Sequence, residues 1–307
     1  MASGLCPHPY TATRGCSQKL MPEAVRQPAD SQILTVGANG AIVPDRAGTS
    51  AQTDAAKMPA LLMRSASLYP LTGWNGRRRK LMDGESELLV NCAECTAVVC
   101  MSGRADKAPP NCPTTLKQDV LDRATKRCLE SDLVEFAREA SRQEAAGYAR
   151  LPHAPSVPSP IKSRVEEIME FSQRMGFRRL GVAFCVGVKD EAEMLVSVLK
   201  NRGFEIVSVC CKCGMVSKGE LGVERKEQIR PEAESEAMCH PIAQAEILNE
   251  SHTDFNILLC LCVGHDSLFL KHSAALCTVL AAKDRLLGHN PLAALYLSKS
   301  YYRRLRV

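Results

Sequence analysis

Leu180-Gly-Val-Ala-Phe-Cys185, followed directly by Val-Gly, is a short apolar run with glycine inside it and just after it. A run this short, bounded by turn residues, reads as a buried strand rather than a helix. The same texture recurs at Phe204-Glu-Ile-Val-Ser-Val-Cys-Cys211, Phe255-Asn-Ile-Leu-Leu-Cys-Leu-Cys262 and Cys277-Thr-Val-Leu-Ala-Ala282. Helical patterns lie between these runs. Val165, Ile168, Met169, Ser172 and Met175 share one face, and Gly176 supplies a stop. Ala192, Leu195, Val196 and Leu199 do the same within a helix from Glu191 to Arg202, ended by Gly203. Residues 212–238 are a long polar excursion, and Pro241 opens a helix that runs to Asn249. A short helix is expected from Leu268 to His272, and helix again from Pro291. Continuous apolar strands alternating with helices imply a parallel sheet covered on both faces. The fold expected for residues 161–307 is therefore α/β, a Rossmann-like or flavodoxin-like parallel sheet with flanking helices.

Outward from that unit the texture changes. Residues 151–160, Leu-Pro-His-Ala-Pro-Ser-Val-Pro-Ser-Pro, hold four prolines in ten positions and read as a linker or surface loop. Residues 87–150 combine a compact cysteine segment, up to about residue 113, with a helix carrying Leu133, Phe136, Ala137, Ala140 and Ala145, ending near Gly147. Residues 1–86 lack any sustained period and are rich in Ala, Ser, Thr, Gly and Pro, so they read as a disordered extension. Their first thirty residues are acid-poor with Arg14, Lys19 and Arg26, a weak organellar targeting pattern, against which an untargeted extension weighs more. The run Arg77-Arg78-Arg79-Lys80 reads more readily as a solvated linker than as a nucleic-acid patch.

Composition narrows the function classes. The net charge of +5 is mild, so a nucleic-acid partner is not expected. No apolar run approaches the roughly 18–20 residues of a membrane span, and prolines interrupt any secretory h-region, so a cytoplasmic protein is expected. With 5% aromatics the core must be mainly aliphatic. Fifteen cysteines are the outlier, and in an intracellular chain of this size they read as metal ligands or redox groups rather than disulfides. For any one of them the bland reading, a small buried hydrophobe, is at least as strong.

Two constellations stand out. Cys92, Cys95, Cys100 and Cys112 lie within 21 residues and open with C-x2-C, a spacing that lets two thiolates reach one ion. Soft sulfur donors select zinc or iron–sulfur, and zinc is favoured because a four-cysteine knuckle can hold a segment too small to fold alone. The second set is spread along the chain. In an open parallel sheet, ligands gather beyond the carboxyl ends of the strands. Those ends carry Cys185, Cys210-Cys211-Lys212-Cys213, Cys262-Val-Gly-His265-Asp266 and Lys283-Asp284-Arg285, the last leading to His289-Asn290-Pro291. Cys239-His240 precedes the helix at Pro241, where the helix dipole favours a thiolate. Cys185, Cys211, Cys239 and Cys262 are the candidate second site; His265, Asp266 and His289 are candidate catalytic residues, with His265 as a general acid or base. Strand alternation puts Cys260 and Cys262 on one face and Cys210 and Cys211 on opposite faces; Cys210, Cys260 and Cys277 are left to packing, and Cys128 and Cys213 are undecided. Taken singly, His265 reads equally as a helix cap and Asp284–Arg285 as a surface ion pair. No dinucleotide fingerprint, Walker loop, nucleophile elbow or H-E-x-x-H helix is present.

Phe184-Cys-Val-Gly187, Val209-Cys-Cys-Lys212, Cys239-His-Pro-Ile-Ala-Gln-Ala-Glu-Ile-Leu-Asn249, Leu261-Cys-Val-Gly-His-Asp-Ser-Leu-Phe269 and Lys283-Asp-Arg-Leu-Leu-Gly-His-Asn-Pro-Leu-Ala-Ala-Leu-Tyr296 carry a resemblance. Over about residues 90–304 the chain resembles domain of unknown function 1847, a mostly prokaryotic family whose members are often labelled metal-binding or zinc-binding. The family typically has Cys-Asn-Pro where this chain has Cys239-His240-Pro241. The resemblance implies the α/β fold and a metal, but no reaction.

The function expected is a metal-binding protein, with zinc as cofactor and an unidentified small molecule at the sheet's carboxyl edge. The alternatives are an iron–sulfur or thiol-dependent redox enzyme using the strand-end cysteines, and a structural module with ligand-free thiols.

Overall fold

The computed structural model describes residues 88–307, all within one unit of the chain. The extension, its targeting reading, the Arg77–Lys80 run, Cys6 and Cys16 lie outside the described residues. A short 3-10 turn at Cys92–Glu94 leads to α1 (Val99–Ser102), α2 (Pro113–Leu116), α3 (Gln118–Cys128) and α4 (Val134–Ala146). Strands β1 (Tyr148–Leu151) and β2 (Ala154–Pro160) follow, then α5 (Arg164–Arg174), β3 (Arg179–Phe184), α6 (Lys189–Asn201) and β4 (Glu205–Cys210). The chain continues with α7 (Pro241–Glu250), β5 (Phe255–Leu259), α8 (His265–His272), β6 (Cys277–Ala281) and α9 (Leu292–Tyr296).

The four expected strands form one parallel sheet in the order β4-β3-β5-β6. Numbered within the sheet, this is 2-1-3-4, the flavodoxin-like order, and the direction of winding reverses between β3 and β5. β5 is buried along its whole length, which is why its sequence reads as an unbroken apolar run. Right-handed crossovers put α6 on one face and α7 and α8 on the other, and α7 and α8 pack against each other. Leu180 and Val182 of β3, Ile257 and Leu258 of β5, Leu199 of α6, Leu248 of α7 and Phe269 of α8 form the buried centre. The few aromatics are not scattered. Phe171 lies 5.0 Å from Phe136 and 5.6 Å from Phe255, and Phe177 stacks on Phe255, so α4 packs onto the α/β unit. α5 is started by a capping box in which Ser163 and Glu166 exchange hydrogen bonds.

Three expectations are corrected. The stretch 151–160, expected as a linker or surface loop, is mostly strand: Ala154–Pro160 pairs antiparallel with Tyr148–Leu151 in a hairpin. Proline is tolerated there because each strand of a two-stranded ribbon is an edge that need not donate at every residue. Strand β5 ends at Leu259, not at Cys262, because Cys260 adopts a left-handed φ of 55°. Alternation therefore does not extend from Cys260 to Cys262. Helix α8 begins three residues earlier than expected, at His265, with Gly264 at φ 84° before it.

Gln244 of α7 ties this helix to the carboxyl edge. It is fully buried, and its Nε2 donates to the carbonyls of Val209 at 2.7 Å and Phe184 at 3.2 Å. Two carbonyl partners fix which end of the amide is nitrogen. Gln244→Leu is expected to destabilise the chain by about 2 kcal/mol in urea unfolding, because a buried carbonyl loses its donor. A change below ~0.5 kcal/mol would mean that the tie is not made in solution.

Candidate functional site

Three connections converge on the carboxyl edge. After β3 the chain turns through Cys185, Val186 and Gly187 into α6. After β4 it passes through Cys211 into the polar excursion and returns at Cys239, where the N–H of His240 donates to the carbonyl of Cys211 at 2.8 Å. After β5 it runs through Cys262 into α8. A cavity of about 620 Å3 lies between them, lined by Cys185, Cys211, Cys239 and Cys262 among others. The four thiols singled out from the sequence thus share one cavity.

Cys211 is the hub. Its Sγ lies 3.8 Å from that of Cys239, contacts Cys185, and accepts the N–H of Val186 at 3.3 Å. Contact with the Cys211 thiol, helped by the N–H of Gly187 and by Lys283, lowers the Cys185 pKa to about 4. The same thiol, with Lys212 and His265 nearby, lowers that of Cys239 to about 5. Cys211 is pushed the other way by these two neighbours and by burial, and keeps its proton between them. Cys262 stands apart. Its Sγ accepts from the Arg285 guanidinium at 2.9 Å, while burial raises its pKa.

Cations ring this floor. Lys212, Arg230, Lys283 and Arg285 line the cavity with His289. The loop after β6 holds three of these by its own bonds. The Asp284 carboxylate accepts the N–H groups of Leu286 and Leu287, and the N–H of Asp284 donates to His289 Nδ1 at 3.2 Å. Asp284 and Arg285 therefore make no ion pair with each other. Accepting at Nδ1 leaves Nε2 as the protonated nitrogen of a neutral His289 ring. His289 also has a left-handed φ of 65°, a costly conformation for a residue other than glycine or asparagine.

The remaining candidates are placed as follows. His265 lies near Cys239, and its Nδ1 is buried without a hydrogen-bond partner among the described residues. Asp266 instead accepts the N–H of Ser267 at 2.8 Å and does not line the cavity. His240 caps α7 through Nδ1, accepting from the N–H of Ala243. Cys260 is buried, and Cys210 and Cys277 pack against the core, as packing residues should. Cys213 is half-buried and Cys128 exposed. Cys95 closes the turn begun by Cys92, with its N–H on the Cys92 carbonyl at 3.2 Å, while Cys100 is exposed and Cys112 buried. Among the described residues, no group of three or more Cys, His, Asp or Glu side chains is already arranged to hold a metal ion, at either constellation. Gly187 and Gln244 stand within the strings that carry the resemblance but had no role assigned from sequence, and Arg230 was not singled out at all. Arg230 sits in the polar excursion with no motif around it.

The wall carrying Arg230 is pinned by Glu236. Its carboxylate accepts from Lys218 and from the backbone N–H of Arg230 at 2.9 Å. Lys218, then Arg230, then the more distant Lys212 hold its pKa below the ordinary carboxylate value. A depressed folded pKa gives stability that is present above the unfolded value of about 4.3 and lost as pH falls through the folded one. Hydrogen exchange at Val216–Ala237 is expected to accelerate as pH drops below about 4 relative to core amides. Glu236→Gln should remove that step. An unchanged pH profile in the variant would assign the step to other groups.

A family model described as "Protein of unknown function (DUF1847)" matches residues 112–280. An uncharacterised protein of Methanocaldococcus jannaschii is 36% identical over 217 residues, which cover 70% of this chain and 98% of that protein. The chain belongs to the DUF1847 family. The matched residues contain all four sheet-edge cysteines and exclude Cys92, Cys95 and Cys100. The DUF1847 match also stops before Lys283, Arg285 and His289. Among the described residues, no helix is long and apolar enough to cross a membrane.

Proposed function

We propose that this protein binds a thiophilic metal ion, zinc by the chemistry of the donors, through Cys185, Cys211 and Cys239 at the sheet's carboxyl edge. Cys262 or His265 would complete the set. The observation that carries the reading is the 3.8 Å separation of the Cys211 and Cys239 sulfurs. Two thiolates at ~2.3 Å from one tetrahedral ion stand roughly 3.8 Å apart. Two thiols in simple contact reach a similar spacing, so the convergence of separate connections on the buried Cys211 supports the reading further. Metal capture reorients at least one cysteine side chain and displaces the Cys211 proton. With Cys262 or His265 bound as the fourth donor the site would be closed, as in structural zinc; with the three thiolates alone one position would stay open towards the cavity, as in catalytic zinc.

The rival within the same protein is a zinc knuckle at Cys92, Cys95, Cys100 and Cys112. The rival chemistry is an iron–sulfur centre or a redox thiol pair at Cys211 and Cys239. Metal analysis and the visible spectrum of the full chain, purified without oxygen, separate these. About one equivalent of zinc is expected, lost in Cys211→Ser/Cys239→Ser and kept in Cys92→Ser/Cys95→Ser. The reverse pattern would move the zinc to the knuckle. Brown, iron-containing protein that bleaches with the first pair would replace zinc by a cluster. Metal-free protein whose Cys239 alkylates fast at neutral pH would favour thiol chemistry.

A further inference from the structure

We infer that the cavity above the thiols takes a small organic anion, bearing phosphate or carboxylate, held between Arg230 and Lys212 on one wall and Lys283, Arg285 and His289 on the other. The inference goes beyond metal binding and stands without it. The cavity, about 620 Å3, has the size of a small-molecule site. Its polar lining offers mostly donors. Lys212 donates to the carbonyl of Ala237 at 2.5 Å, Lys283 meets the Cys185 sulfur, and Arg285 donates to Cys262. Each of these cations keeps further N–H groups for a ligand. The Arg230 guanidinium has no hydrogen-bond or ion-pair partner among the described residues; only its backbone is engaged, the N–H by Glu236 and the carbonyl by the N–H of Ala233. His289, holding its proton on Nε2, adds a neutral donor. Glu236 is the one carboxylate among the lining residues, and Lys218, which is not part of the lining, neutralises it.

Three of the cations lie beside sulfurs, and counter-charging thiolates is the plain alternative. It does not account for Arg230, nor for the bonds that hold His289 at a positive φ within the loop of Lys283 and Arg285. A cationic ligand would be repelled here and a neutral one would leave the positive charge uncompensated, whereas an oxyanion accepts charge-assisted bonds from several donors at once. The turn at Val186–Gly187 leaves room for one of them. A Cβ built on Gly187 would stand 3.3 Å from Lys283 Nζ, so a larger residue there would crowd the ammonium.

The test is calorimetric titration of the reduced full chain with inorganic phosphate and, separately, succinate, against chloride at equal ionic strength. Both chelator-treated and zinc-loaded protein are used, so that failure of the metal reading is seen apart from failure of this one. Saturable binding of at least one probe is expected. It should weaken about tenfold or more in Arg230→Gln and in Lys283→Gln/Arg285→Gln, and stay unchanged in Arg123→Gln on exposed α3. The probe that binds identifies the anionic group as phosphate or carboxylate. In zinc-free protein the same probe should slow alkylation of Cys239 and Cys262. Absence of saturable binding in both protein forms, or binding that the cavity variants leave intact, would overturn the inference.

Discussion

Gly181→Ala is expected to destabilise this protein by about 3 kcal/mol or more, although it adds a single methyl group. A Cβ at Gly181 would stand 2.0 Å from Asn256 Oδ1 and 2.8 Å from Leu248 Cδ1. Neither neighbour has room to withdraw. Leu248 and Asn256 are fully buried. The Asn256 amide is also held at both ends, accepting from Thr253 Oγ1 at 2.8 Å and donating to Ser273 Oγ at 2.8 Å. Moving it strands buried polar atoms, and not moving it leaves an overlap in the central strand. Gly219→Ala is the contrast. A Cβ there would meet only Ser217 Oγ, at 3.4 Å, and a change within about 0.5 kcal/mol is expected. Equilibrium urea unfolding of both variants checks the pair. A Gly181→Ala protein within ~1 kcal/mol of the parent would mean that β3 and α7 are not packed this closely.

Cys211→Ser is expected to weaken zinc binding by on the order of 100-fold or more, measured by competition with a chromophoric chelator. Changing a residue that merely supports a ligand typically costs about 10–100-fold, and Cys211 is proposed as a ligand itself, in contact with Cys185 and Cys239. Serine preserves the shape of the side chain but presents a hard hydroxyl of far higher pKa, so the charge and the softness are both lost. Cys260→Ser separates the site from its surroundings. Cys260 is 2% exposed, lies outside the cavity lining, and has its pKa raised by burial. Serine there is expected to lower stability by burying a hydroxyl while leaving zinc affinity unchanged. Equal losses at Cys211 and Cys260 would point to general unfolding, and zinc retained at full affinity in Cys211→Ser would remove this cysteine from the donor set.

Much of this architecture is legible in the sequence because parallel strands leave a one-dimensional trace. A strand buried on both faces must be apolar throughout, as β5 is, and helices between such strands carry their period openly. The position of the candidate site follows from the same topology. Any residue just after a strand of a parallel sheet lies at the carboxyl edge, so Cys185, Cys211 and Cys262 could be gathered there from order alone. Gly181 was visible as a glycine within a strand, but its reason was not. Only the packed structure shows the Asn256 amide occupying the place of its side chain.

Other features depended on contacts that no local pattern encodes. The proline-rich run became strand over Ala154–Pro160 because a partner at Tyr148–Leu151 existed to pair with it, and pairing is a property of two segments. Alternation failed beyond Leu259 because the backbone of Cys260 turns left-handed, which a residue's type does not announce. Arg230 enters the cavity through the fold of a long polar excursion pinned by Glu236. By itself, the sequence determined an α/β chain with a parallel sheet and a thiol-rich carboxyl edge, since burial and strand direction are written in residue order. Which sulfurs touch, which cations face them and why β3 needs a glycine were decided by tertiary structure, because each is a distance between residues far apart in the chain.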